Sequence, residues 1–479
     1  MNLREYIKQA TTMGELEVVN GADWNLEIGA LTDLNAKKRV PALLFDDIVG
    51  YPHGYRVLTC MLSGPKRLSA VLGFEVTSDH SKLVSTLEGK PSQWEETAKN
   101  FSPNVKNDSD VLTNTLNEDH MDLLKFPVPL WHEEDGGRYI GTGGTVITRD
   151  PDLGVVNLGT YRVMVSSKNT ACMLIEDIHH GSIQIRKYHE QGKPCPVALS
   201  FGHEPLVYIA SSLPIPYEVS EYNYAGAIRQ KPIDVFEGKI TGLPIPVSSE
   251  IAAEGFIYPG DLIDEGPFGE FTGYYAGDRA PRPAVRLKAL YHRDNPIILG
   301  SLTGKPPFDH SYWRSALESA AIKDRIRKAG IPDVVKVWRH EAGACQFWTV
   351  VSIKQRYLGQ AKQAGFVAAQ CQEGASMGRY VIVVDDDVDP TNLQEVIWAL
   401  STRSDPATGI DIIHRAPSNP LDPLIKKPAK SFQSSRAIID ACRPFEWINE
   451  FPRTVTISKE LQDKVSKKWP AIVGKQYSF

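Results

Sequence analysis

The run Tyr380-Val381-Ile382-Val383-Val384 leaves little choice about its own surroundings. Five residues rich in β-branched side chains, with no charge among them, read as a buried strand. Its neighbours have the matching pattern. Residues 311–329 and 357–372 are helical by spacing, and 334–338 and 347–353 read as strands. Pro390, after Asp389, reads as the first residue of a helix running to Leu400. Residues 306–479 therefore predict an α/β region with parallel strands.

The preceding stretch, residues 116–305, is the richest in strands. Val285, Leu287, Ala289 and Tyr291 alternate with Arg286, Lys288 and His292, a period of two. Residues 197–201 and 206–210 are short apolar runs bounded by Gly and Pro, and both are taken as strands. One helix stands out, over residues 181–191, with Gly192 as its stop and His180 at its leading edge. Residues 1–115 mix both signals, with a strand at Pro41-Ala42-Leu43-Leu44-Phe45 and a short helix over 93–101. The fold class expected is mixed α/β (α+β) in three regions: 1–115, 116–305 and 306–479. A chain of 479 residues is too long for one ordinary core.

Bulk properties exclude several classes. A formal charge of −5 gives no reason to expect nucleic acid. No run of about 18 apolar residues offers a membrane span, and Met1-Asn2-Leu3-Arg4-Glu5 does not open a signal peptide. Cys60, Cys172, Cys195, Cys345, Cys371 and Cys442 are scattered, without CxxC spacing, which fits a reduced cytoplasmic setting better than a zinc knuckle.

Three motifs are set aside. Gly300-Ser301-Leu302-Thr303-Gly304-Lys305 is one residue short of a P-loop, and Pro306 stands where the hydroxyl belongs. Asp385-Asp386-Asp387-Val388-Asp389 lacks the glycine and distal glutamate of a calcium loop and reads as a strand end entering a helix. Trp131-His132-Glu133-Glu134-Asp135, before Gly136-Gly137, reads as a solvated turn.

Four segments carry chemistry. Asn157-Leu158-Gly159-Thr160-Tyr161-Arg162 spends an amide and a guanidinium inside a strand-like run. His179-His180 stands at a helix start. Ser211-Ser212-Leu213-Pro214-Ile215-Pro216, with Glu221 after it, puts two hydroxyls at an expected strand end and leaves backbone N–H groups for an anion. Each segment alone is more often structural. The most specific is Leu262-Ile263-Asp264-Glu265-Gly266-Pro267-Phe268-Gly269-Glu270, a tight loop that aims two carboxylates into one cavity. Two such groups do not both ionise cheaply, and one is expected to stay protonated as a general acid.

Together, and in this order, these segments resemble the UbiD family of decarboxylases, in the branch acting on aromatic and heteroaromatic acids. The likeness runs through Asn157 and Arg162, His180, Ser211-Ser212 with Pro214, Val219-Ser220-Glu221 and the Glu265–Glu270 loop; residues 385–403 resemble the family's C-terminal domain. The resemblance implies a small N-terminal α/β region, a central split β-barrel that binds prenylated FMN, and a C-terminal α/β oligomerisation domain. It implies Mn²⁺ or Mg²⁺, with K⁺ beside the flavin phosphate. Asn157, His180 and Glu221 resemble the metal ligands, with His179 as the alternative to His180; amide, imidazole and carboxylate suit a hard cation. Thr160, Tyr161, Arg162, His179, Ser211, Ser212, Leu213 and Pro214 would line the cofactor.

Arg162, Glu265 and Glu270 resemble the catalytic network, with Glu265 ionised beside Arg162 and Glu270 as proton donor to a substrate covalently attached to the flavin. The implied partners are an aromatic or heteroaromatic acid, a prenylated-FMN synthase that supplies the cofactor, and further copies of the chain in a homodimer or homohexamer. The chain departs from the pattern at Val155 (Trp in some members) and Gly159 (Ser in some). His310, in Phe308-Asp309-His310-Ser311, is a candidate for gripping substrate or a plain helix-start residue, and Gln346 stands where some members have lysine. Other readings are the same site run as a carboxylase, a non-catalytic carboxylase subunit, and an NAD(P)H-dependent flavin oxidoreductase. The second predicts a lost site residue, and the third leaves the glutamate loop without a role.

Overall fold

The computed structural model describes every residue except 40, 376, 427–430 and 474–479. The described residues form a mixed α/β structure with four sheets. The four-stranded sheet runs Leu16–Asn20, Ala42–Asp46, Arg56–Thr59 and Ile297–Leu299. Its last strand arrives from the far end of the middle region and pairs parallel with Arg56–Thr59. One apolar cluster extends from Leu3 and Tyr6 through Ile209 to Trp313 and Trp338, so all three regions contribute to it.

The nine-stranded sheet forms the body of the middle region. Seven of its strands run Val156–Gly159, Thr145–Arg149, Cys195–Phe201, Ile251–Ile257, Ala280–His292, Thr170–Met173, Val163–Ser167, and Leu262–Glu265 and Asn114–Asn117 pair with Ala280–His292 off this path. The two edge strands of this path are consecutive in the chain. Only Thr160, Tyr161 and Arg162 join them, a span of at most about 14 Å. The sheet therefore curls until its edges nearly meet, a barrel split at the segment singled out for chemistry.

The C-terminal sheet runs Val334–Arg339, Trp348–Ile353, Tyr380–Asp385, Gln433–Ala441, Ile410–Pro417. Its inner pairs are parallel, as expected, but both outer pairs are antiparallel. Tyr380–Asp385 lies at its centre, and residues 381–385 are buried.

Three local expectations are corrected. Residues 206–210 belong to a helix, Pro205–Ser212, whose residues 205–211 are all buried. A segment apolar on every side shows neither the helical nor the strand period, and Pro205 at its first turn is what starts it. The helix after Asp389 begins at Leu393: Asn392 accepts a hydrogen bond from the Gln394 N–H, so Pro390 lies in the turn before the cap. The helix expected over 357–372 spans Gln360–Gln370. Among the described residues no helix is long and apolar enough to cross a membrane.

Candidate active site

A cavity of about 490 Å³ opens at the barrel split. Every site residue named from the sequence lines it except Glu265, which lies behind Arg162.

Asn157, His180 and Glu221 come from three elements. Asn157 is buried in the edge strand, opposite Thr148. His180 is the first residue of the helix His180–Glu190, and Glu221 the first of Glu221–Arg229. Glu221 Oε2 accepts a 2.7 Å hydrogen bond from the N–H of Leu158, next to Asn157. Burial pushes the Glu221 carboxyl up to about 8 and pushes the His180 imidazole down. The Asn157 amide nitrogen is buried with no hydrogen-bond partner. An amide, a neutral imidazole and a carboxyl that gives up its proton on binding suit a divalent cation. Such a cation would reverse the cost of charging Glu221.

His179 lies beside this trio. Its ring packs on Tyr161 at 5.4 Å, and its Nδ1 is buried without a partner. Burial, then His180 and Arg314, push it down to about 4, so it too is neutral.

The hydroxyls form one cluster. Thr160 Oγ1 meets Ser211 Oγ at 2.8 Å and Ser212 Oγ at 2.9 Å, and the Thr160 N–H donates to the Ser211 carbonyl. Ser211 and Ser212 stand at the end of a helix rather than of the expected strand. Tyr161 explains the departure at Gly159: a Cβ there would lie 2.2 Å from the tyrosine ring. The ring occupies the space a serine would need.

Arg162 joins the two glutamates. Its Nε and Nη2 donate to the two oxygens of Glu265 at 2.8 and 2.9 Å, and its Nη1 donates to Glu270 Oε1. Burial works against the charge of Arg162, and Glu270 with Glu265 outweighs it. Tyr139 adds a 2.8 Å hydrogen bond to Glu265 Oε1. Phe268 lies under the guanidinium at 5.2 Å, and the loop turns at Gly266 with φ +87°, a conformation glycine tolerates.

What holds this loop was misread from the sequence. Of the segment expected to be a solvated turn, only Glu133 and Glu134 are exposed; Trp131 and Asp135 are buried. Asp135 Oδ1 accepts from the Gly269 N–H, and Asp135 Oδ2 from the His132 N–H. The Gly136 N–H donates to the Pro267 carbonyl at 2.7 Å, and a Cβ at Gly136 would meet the Gly266 oxygen at 1.9 Å. Thr303 Oγ1 closes the frame on the Gly269 carbonyl.

Another part of the lining comes from the start of the helix Ser311–Lys328. His310 caps its start, with Nδ1 2.9 Å from Ser301 Oγ, which meets the Tyr208 hydroxyl at 2.7 Å. Burial, then Arg314, push His310 down to about 3. Arg314, Glu318, Arg339 and Gln346 also line the cavity. Sequence reading missed the first three, although His310, Arg314 and Glu318 repeat at helical spacing and thus share a face.

Comparison with known proteins gives three matched segments. They are described as the 3-octaprenyl-4-hydroxybenzoate carboxy-lyase N-terminal domain (residues 7–87), Rift-related domain (104–306) and C-terminal domain (311–441). The pyrrole-2-carboxylic acid decarboxylase of Pseudomonas aeruginosa is 31% identical over 493 residues, 98% of this chain and 97% of that one. Vanillic acid decarboxylase of Sedimentibacter hydroxybenzoicus, in its closed form, superposes with TM-score 0.83 at 28% identity, covering 99% of each chain. The UbiD-class enzyme HmfF of Pelotomaculum thermopropionicum, solved with FMN, gives 0.83 at 28%, covering 96% of this chain and 98% of that one. An evolved dimeric form of HmfF, solved with prFMN, gives 0.80 at 27%, covering 97% and 99%.

Proposed function

Because the chain belongs to the UbiD family of carboxy-lyases, we propose that it removes a carboxylate from an aromatic or heteroaromatic acid on prenylated FMN, with Glu270 as proton donor. The single observation carrying this reading is the asymmetry around Arg162. The arginine holds Glu265 with two donors and Glu270 with one, and of the two carboxylates only Glu270 faces the cavity.

One guanidinium balances one of the two carboxylates. Glu265 is held bidentate by the arginine and by Tyr139, away from the cavity; Glu270 is the carboxyl placed to exchange a proton with the cavity. The flavin, when bound, supplies the electron sink that lets carbon dioxide leave. Asn157, His180 and Glu221 would hold Mn²⁺ or Mg²⁺ near its phosphate, with K⁺ beside it, and Thr160, Ser211 and Ser212 offer hydroxyls to the same region. Arg162 orients Glu270, and Glu270 gives its proton to the ring carbon that lost the carboxylate. In reverse it takes that proton away, so the same residues serve carboxylation when bicarbonate is high.

Exposed Leu461, Val465 and Trp469, on and just after the helix Lys459–Lys468, leave an apolar face uncovered in one chain, which supports a homo-oligomer. The test of the cofactor is expression with and without a prenylated-FMN synthase. Protein made with the synthase should decarboxylate aromatic acids. Equal turnover by protein carrying only FMN would contradict the reading.

A further inference from the structure

Gly269, the residue before Glu270, is held at both of its backbone groups. Its N–H donates to Asp135 Oδ1 at 2.9 Å, and its carbonyl accepts from Thr303 Oγ1. His132 joins the two holding residues. Its Nδ1 lies 3.2 Å from Asp135 Oδ2, and its Nε2 lies 3.0 Å from the Thr303 carbonyl oxygen. Gly269, Asp135, His132 and Thr303 therefore close a hydrogen-bonded ring. The imidazole lies directly against the glycine: a Cβ there would come 2.7 Å from His132 Cε1 and Nδ1. None of Asp135, His132 and Gly269 lines the cavity.

Both partners of this imidazole accept and neither donates. A backbone carbonyl has no proton to give, and Asp135 already accepts from the N–H groups of Gly269 and His132. To make both bonds the ring must carry a proton on each nitrogen; a neutral imidazole has one N–H and keeps only one of them. The surroundings favour the charged form. Asp135 faces the ring from its own segment, and Asp33 from the helix Glu27–Lys38, where Lys37 pairs with it. Phe268 and Tyr275 meet it edge-on at 6.0 and 6.3 Å, and Glu133 and Glu134, next in the chain, are exposed. Burial works against the charge; Asp135, the Thr303 carbonyl and Asp33 outweigh it, so the imidazole is raised above its usual 6.5.

We propose that His132 is a positioning residue for Glu270: protonated, it ties the two groups that hold Gly269 into one ring, and its deprotonation releases one tie and loosens the loop that carries Glu270. This rests on the decarboxylase reading above, with Glu270 as proton donor.

The ratio of wild-type to His132→Gln kcat, measured on prenylated-FMN-loaded protein from pH 6 to pH 9, isolates the effect, because Glu270 titrates in both proteins. The ratio should be about tenfold at pH 6 and fall toward one as His132 loses its proton. KM and the flavin spectrum should stay as in wild type, since His132 does not line the cavity. A ratio independent of pH, or a loss carried by KM, would overturn the proposal. The titration itself is read by NMR of histidine-labelled, flavin-free protein, assigned by the signal lost in His132→Gln or His132→Asn. His132 should titrate above 6.5, with both nitrogens protonated below that point. Titration below 6.5 would also overturn the proposal. A protein in which His132 titrates high but no acid is turned over would contradict the decarboxylase reading and leave the hydrogen-bonded ring standing.

Discussion

Asp135 Oδ1 accepts a 2.9 Å hydrogen bond from the backbone N–H of Gly269, the residue before Glu270. A buried carboxylate 134 residues away in sequence thus fixes the peptide before Glu270, the proposed proton donor. Asp135→Ala should lower kcat about tenfold to a hundredfold through misplacement of Glu270. It should also cost about 1–3 kcal/mol of stability from the unpaired N–H. Flavin absorbance should be unchanged, because Asp135 does not line the cavity. Steady-state kinetics beside a melting curve checks this, and wild-type kcat would contradict it.

Metal binding should depend on pH through Glu221. Burial raises its carboxyl from 4.5 to about 8 in the fold. Below about 8 the metal-free protein holds a proton that the metal must displace, so affinity should fall about tenfold per unit as pH falls. The same shift makes the metal-free fold lose stability as pH rises from 4.5 toward 8, since the folded state binds the extra proton. Mn²⁺ titrations of flavin-free protein at pH 6, 7 and 8 read the slope. A flat affinity would remove Glu221 from the ligand set.

The two histidines should separate by substitution. His180→Ala should lose metal and flavin together. His179→Ala should keep the metal and loosen the contact on Tyr161. Metal content by elemental analysis decides, and the opposite pattern would exchange their roles.

Gly159→Ser, which restores the residue some relatives carry, should destabilise this chain by about 1–3 kcal/mol, since its Cβ would overlap the Tyr161 ring. Gly159→Ser with Tyr161→Ala should recover most of the loss. If the single variant melts at the wild-type temperature, the ring does not exclude a side chain there.

These residues also mark where the sequence was readable. Glu265, Gly266, Pro267 and Glu270 carry their geometry within one loop, so their tight turn was legible from composition and spacing. The helix start at His180, with its stop at Gly192, was legible for the same local reason. The helix at 205–212 was not, because burial on every side erases the period that separates helix from strand. Asp135 was mistaken for a solvated residue because its partner is a backbone N–H brought close only by the curl of the sheet. Arg314 and Glu318 were hidden because their helix buries residues on nearly every face, so no apolar stripe sets off the polar one.

The most direct test of the central claim is deuterium exchange at the scissile carbon, followed by NMR in D₂O with prenylated-FMN-loaded wild type and Glu270→Gln. Wild type, given the decarboxylated product, should exchange the proton it carries on that carbon. The variant should keep its flavin spectrum and slow exchange by about 10²–10⁴-fold. Exchange at the wild-type rate in Glu270→Gln would show that the proton comes from elsewhere and contradict the role given to Glu270.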